Sequence, residues 1–268
     1  MIQKGANPLW KPMMGAQLDR SHSATQGLQA CWLFNENSGN MLYDLAGNYH
    51  FALTGTVARV AEPYGPAIKF DGVTGQGIAP AHPLAGSTAF TILFRVRQKD
   101  GLASPYGSYL GSEQGFISGV NLNSNFPSQV EFDISNSKIL TNIPNDAWVH
   151  LAFQWSNATG IQRVYTNSIQ TANNTGLSIG ALPAYTNAYI GKASAAQSNY
   201  TTDSQVSYMK VYNRFLSAPE IAADYETPYA LFRPANDRVY FYGGAPLPPA
   251  GGGMRSNLTL NPSGMIGI

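Results

Sequence analysis

Apolar and polar residues alternate in short segments along this chain, separated by stretches rich in Gly, Asn and Ser. In residues 90–97, Phe90, Ile92, Phe94 and Val96 share one face. In residues 130–134, Val130, Phe132 and Ile134 alternate with Glu131 and Asp133. Residues 67–71, 188–191 and 206–212 read the same way, and residues 28–34 form a mostly apolar run suited to a buried strand. Residues 148–155 and 161–165 predict a hairpin around 156–160. Period-two alternation in β-branched and aromatic residues, bounded by turn formers, marks half-buried strands. Strands at this density without intervening helices predict an all-β fold, a two-sheet antiparallel jelly-roll sandwich. One short C-terminal helix is expected: Ser217 and Glu220 form a capping box, Pro219 sits in the first turn, and Pro228 stops the helix.

The ends of the chain break the pattern. Residues 1–26 lack any period and predict an extended N-terminal arm. A sandwich domain is expected over 27–227, an extra strand segment over 228–242, and a Gly/Pro-rich linker with a C-terminal arm over 243–268. In that last arm, Leu258, Leu260, Met265 and Ile266 are spaced to lie in apolar grooves, on the chain's own domain or on a neighbouring subunit. Such a tail has little apolar area to offset its conformational entropy, so a binding surface must hold it.

Composition narrows the functions. Of 268 residues only 12% are charged, and the net charge is +1. A basic nucleic-acid footprint is therefore not expected. No apolar run reaches the ~18 residues that cross a bilayer, and residues 1–15 show no secretory signal. The single cysteine, Cys31, forms no internal disulfide framework.

Five segments, in order, carry a resemblance. Residues 27–39 followed by 44–48, the strand around Ala67–Ile68–Lys69–Phe70–Asp71–Gly72, residues 90–97, Trp148–Val149–His150–Leu151–Ala152, and the closing residues 211–221 resemble laminin-G-like domains of the concanavalin-A-like lectin/glucanase superfamily. The resemblance covers about residues 27–225 and implies a concanavalin-A-like jelly roll. Residues 1–36 and 228–234 also resemble flanks of laminin-G-like proteins encoded by tailed bacteriophages. That resemblance implies a non-enzymatic virion structural protein, a capsid decoration or head-fibre protein on the particle surface. Its partners would be other virion proteins and copies of itself. A carbohydrate- or receptor-binding module that recognises cell-surface glycans is the alternative, and a divergent glycoside hydrolase the third reading.

Glucanases of this superfamily carry a Glu-x-Asp-x-Glu motif. Glu131 and Asp133 match its first two acids, and Ser135 replaces the third. The competing reading makes these three residues the wet face of their strand. No cofactor is required. By resemblance calcium could bind Asp44, with Asn48 beside it and Asp71 as an outside candidate; an Asx-turn is the competing role for Asp44. The four histidines show no metal-type spacing, and His150 is expected to make a structural hydrogen bond. For sugar stacking the candidates are Tyr106, Tyr109, Tyr185 and Tyr200, which lie in turn-rich stretches; protein contact is their alternative role.

Overall fold

The computed structural model describes residues 10–98, 106–112, 120–125, 129–194 and 203–233; for 106, 107 and 120–125 it describes the backbone only. A compact unit spans Met1–Ala235. Residues beyond 235, including Leu258, Leu260, Met265 and Ile266, lie outside the described residues, as does Tyr200.

Two antiparallel sheets stack face to face. The first contains, in spatial order, β14 (Ile169–Asn174), β13 (Ile161–Thr166), β12 (Trp148–Ser156), β7 (Ala89–Gln98), β16 (Ser204–Tyr212), β5 (Gly65–Phe70) and β4 (Val57–Glu62); β1 (Leu28–Trp32) also pairs with β16. The second runs β11 (Ser137–Asn142), β10 (Gln129–Ile134), β9 (Val120–Asn125), β8 (Tyr106–Ser112), β15 (Ala188–Ile190), β6 (Gln76–Ala79), β3 (Phe51–Thr54) and β2 (Met41–Leu42). This is the expected jelly-roll sandwich. The alternating positions of the long strands meet between the sheets, where Phe90, Phe94, Phe132, Phe153, Trp32 and Trp155 are fully buried. Phe132 meets Phe90 and Phe153 edge-on, with ring centroids 5.9 and 5.2 Å away. Gly191 follows β15 at φ +79°, and an added Cβ would stand 2.5 Å from the Phe70 ring, so only glycine fits there.

A second apolar layer lies outside the first sheet. Helix α1 (Ala218–Glu226) packs there through Ile221, with Leu93, Tyr208, Tyr212 and Leu216 beneath. The capping box forms as read: the Glu220 carboxylate accepts from the Ser217 N–H at 2.8 Å. From Trp10 onward the N-terminal arm is held on its own domain. Leu18 bridges to Phe232, Asp19 N–H donates to the Leu231 carbonyl, and Lys11 N–H donates to that of Tyr64. The described arm thus finds its partners without a neighbouring copy. The extra strand expected from residue 228 is absent over the described residues 228–233. Instead Ala230 and Phe232 donate back three residues in turns, and pairing is limited to the single Leu18–Phe232 bridge.

Candidate functional site

The face of the second sheet that points away from the core carries an acid pair built by strand periodicity. Val130, Phe132 and Ile134 enter the core, so Glu131 and Asp133 point the other way. They are not the wet face that the alternation suggests: Glu131 is 7% exposed and Asp133 is fully buried. Ser135 does not continue the strand. It forms a two-residue turn with Asn136, with φ of 48° and 67°. That tight turn sets the register and places Lys138 opposite Asp133. The Lys138 ammonium donates to Glu131 Oε1 at 3.2 Å and lies 3.9 Å from Asp133 Oδ2. Burial raises the Asp133 carboxyl to about 6. Lys138 opposes this effect, and the negative Glu131 reinforces it. Lys138 and Leu140 are the exposed members of this patch.

The other sheet's outer face is roofed and ionic. Under α1, the Asp224 carboxylate accepts from Lys210 Nζ and from the Tyr208 hydroxyl at 3.1 Å, and faces His150 Nε2 at 3.2 Å. Burial raises the Asp224 pKa, but Lys210 and His150 outweigh it and hold the carboxyl below its ordinary range. His150 thus makes a structural hydrogen bond, as expected. Beneath the arm, Lys11 donates to the carbonyls of Pro66 and Ser207 and lies 3.9 Å from Glu62. Burial lowers the Lys11 ammonium to about 7, against the attraction of Glu62.

The proposed calcium ligands are engaged by backbone. Asp44 Oδ1 accepts from the N–H groups of Cys31 and Ala46, and Oδ2 from those of Gly47 and Tyr49, at 2.8–3.1 Å. Asn48 is exposed beside this turn. Asp71 accepts from Val73, Thr74 and Gly75 N–H and from the Thr74 hydroxyl. Partial burial raises its pKa, yet these donors together hold the carboxyl far below its ordinary range. Among the described residues no three His, Cys, Asp or Glu side chains form a metal-binding group.

The tyrosine expectation is corrected at two positions. Tyr109 is fully buried; its ring packs on Phe94 and its hydroxyl donates to Gln98 Oε1 at 2.8 Å. Tyr185 is 4% exposed and meets the His82 ring edge-on. Neither offers a stacking face, because each ring fills the space beside its own strand or loop. The side chain of Tyr106 lies outside what is described. Sequence reasoning missed Lys138, whose place follows from counting the Ser135–Asn136 turn as two residues. It also missed the Lys210–Asp224 pair, which no local spacing announces.

The concanavalin A-like lectin/glucanases sequence family matches residues 71–222, more than half of the chain. The chain belongs to this superfamily. No curated protein matches it in sequence. Solved structures share the superfamily fold at low identity. Trypanosoma rangeli sialidase in complex with sialic acid superposes with TM-score 0.61 and 18% identity, covering 77% of this chain and 34% of the sialidase. Domain 4 of AbnA, an extracellular GH43 arabinanase from Geobacillus stearothermophilus, in complex with arabinotriose, gives 0.57 and 18%, over 73% of this chain and 96% of that domain. The receptor-binding domain of a botulinum neurotoxin C/D mosaic gives 0.61 and 14%, over 75% and 51%. The chain spans about a third of the sialidase and half of the toxin domain.

Proposed function

We propose that this superfamily member is a non-catalytic carbohydrate-recognition module whose ligand rests on the outer face of the second sheet. The observation that carries this reading is the exposed pair Lys138 and Leu140 on the outer face of the second sheet, with Glu131 nearly buried and Asp133 fully buried beneath the ammonium. The exposed ammonium, oriented by the Glu131 carboxylate, can donate to sugar hydroxyls, and the adjacent aliphatic surface of Leu140 can take the apolar face of a ring. Superfamily membership and neighbours solved with sugars favour the same reading. Against hydrolysis, both acids share one ammonium, and the motif's third acid is replaced by a serine in a turn. The test is a glycan panel scored for both binding and sugar release. Binding lost in Glu131→Gln and Lys138→Ala without any release supports the module; release abolished by Glu131→Gln identifies a hydrolase.

The virion decoration reading keeps one observation of its own. Trp10, Met13 and Met14 stand 59%, 83% and 58% exposed on the arm, an apolar display that suits assembly contacts. Size measurement of the purified chain, alone and with phage heads, tests it. Deleting residues 243–268 should weaken assembly; unchanged assembly removes the C-terminal arm from the account.

A further inference from the structure

A second feature, on the outer face of the first sheet, is independent of the acid pair. Arg95 rises from β7 between two aromatic rings. Its guanidinium carbon lies 4.7 Å from the Tyr64 ring centroid and 5.6 Å from that of Trp148. Glu62 Oε2 meets Nε at 3.3 Å, and that carboxylate is itself anchored by the Ser207 hydroxyl and by Lys11. The guanidinium is therefore paired with Glu62 on its inner edge, without a directed hydrogen bond, and flanked by rings. Nε is buried without a hydrogen-bond partner, and no hydrogen bond joins either Nη group to a described residue. The side chain is 18% exposed in total.

A guanidinium edge is a planar fork that matches the two oxygens of a carboxylate or sulfate, and its grip strengthens where the group is partly desolvated. Here the Glu62 contact and the two rings restrict the fork in advance. Trp148 and Tyr64 are only partly buried, so aromatic surface borders the fork. We propose that Arg95, Trp148 and Tyr64 form a binding site for an acidic saccharide, with its anionic group on the Nη edge of Arg95 and its ring against the aromatic walls. This site lies on the opposite sheet from Glu131 and does not depend on it.

Isothermal titration calorimetry of the full chain tests the site with glucuronate, glucose 6-sulfate, glucose and acetate. Saturable binding of the two acidic sugars is expected, at least tenfold tighter than glucose, which lacks the charge, and acetate, which lacks the ring. Arg95→Lys keeps the charge but not the fork and should lose tenfold or more; Trp148→Phe should weaken binding less. The loss caused by Arg95→Lys should be the same in a Glu131→Gln background, which separates this site from the one on the second sheet. No saturable binding, equal affinity for acetate and glucuronate, or full affinity in Arg95→Lys would each overturn the proposal. Where Arg95→Lys fails to fold, Trp148→Phe decides: unchanged affinity counts against the site.

Discussion

The Asp44 carboxylate holds the N–H of Cys31 at 2.8 Å, tying the loop after β2 to the first strand. The same group gathers three further N–H groups from its own turn. An acid so placed closes a loop; its lone pairs are already directed at amides.

Asp44→Ala should therefore destabilise the fold, because it leaves buried donors without acceptors at ~1–3 kcal/mol each before relaxation. A net loss of about 2–4 kcal/mol in denaturant titration is expected. By the same geometry, the melting temperature should not move when calcium or EDTA is added. A calcium-dependent rise that Asp44→Ala abolishes would restore the acid as a ligand.

Lys210 and Asp224 give a sharper test. The Lys210 side chain is fully buried. Asp224→Asn should cost roughly 3–5 kcal/mol, since breaking a buried pair strands a charge. Replacing both partners, as in Lys210→Met with Asp224→Leu, should recover most of that loss. A double variant as unstable as the single would mean that Asp224 matters through Tyr208 and His150 instead.

How much of this was legible in the sequence depends on whether the cause was local. The strands containing Phe90, Phe132 and Trp148 follow from period two, and α1 follows from Ser217, Pro219 and Glu220. The exposed six-residue strand β14 was not foreseen, because Ile169–Asn174 has almost no apolar pattern to read. The acid pair was visible as a spacing, but its burial was not. Alternation alone assigns Glu131 and Asp133 to solvent, and only the fold covers them. Tyr109 and Tyr185 failed for the reverse reason. Polar neighbours in sequence suggest an exposed loop, whereas the shifted register of β8 buries Tyr109 and the loop before β15 packs Tyr185 against His82.

Asp133 links the candidate site to pH. Its folded carboxyl titrates at about 6, above its ordinary value of 3.8. Between those values the folded state binds more protons than the unfolded one, so this residue's contribution to stability grows as pH falls from above 6 towards 4. Asp133→Asn should stabilise the protein at pH 7–8, by up to ~3 kcal/mol if the whole shift is expressed. The advantage should shrink steadily below pH 6. Denaturation midpoints of both proteins between pH 4 and 8 measure this; a constant difference would show that Asp133 stays ionised throughout.

Lys11 carries the opposite sign. Burial brings its folded ammonium to about 7, against 10.5 in the ordinary state. Between those values the folded chain binds fewer protons than the unfolded one, so the Lys11 contribution improves as pH rises from 7 towards 10 and is poorest below 7. The neighbouring charges are Glu62, Arg95 and Glu36, and all belong to the folded layer that receives the arm. Lys11→Met removes the titration and keeps much of the apolar stem. The variant should therefore compare best with the parent protein below pH 7 and fall behind as pH increases. Limited proteolysis at the Met13–Met14 turn should follow the same trend, because that turn is held to the domain through Lys11 on one side and Leu18 on the other. Cleavage rates that ignore both pH and the substitution would place the anchor of the arm at Leu18 and Phe232 alone.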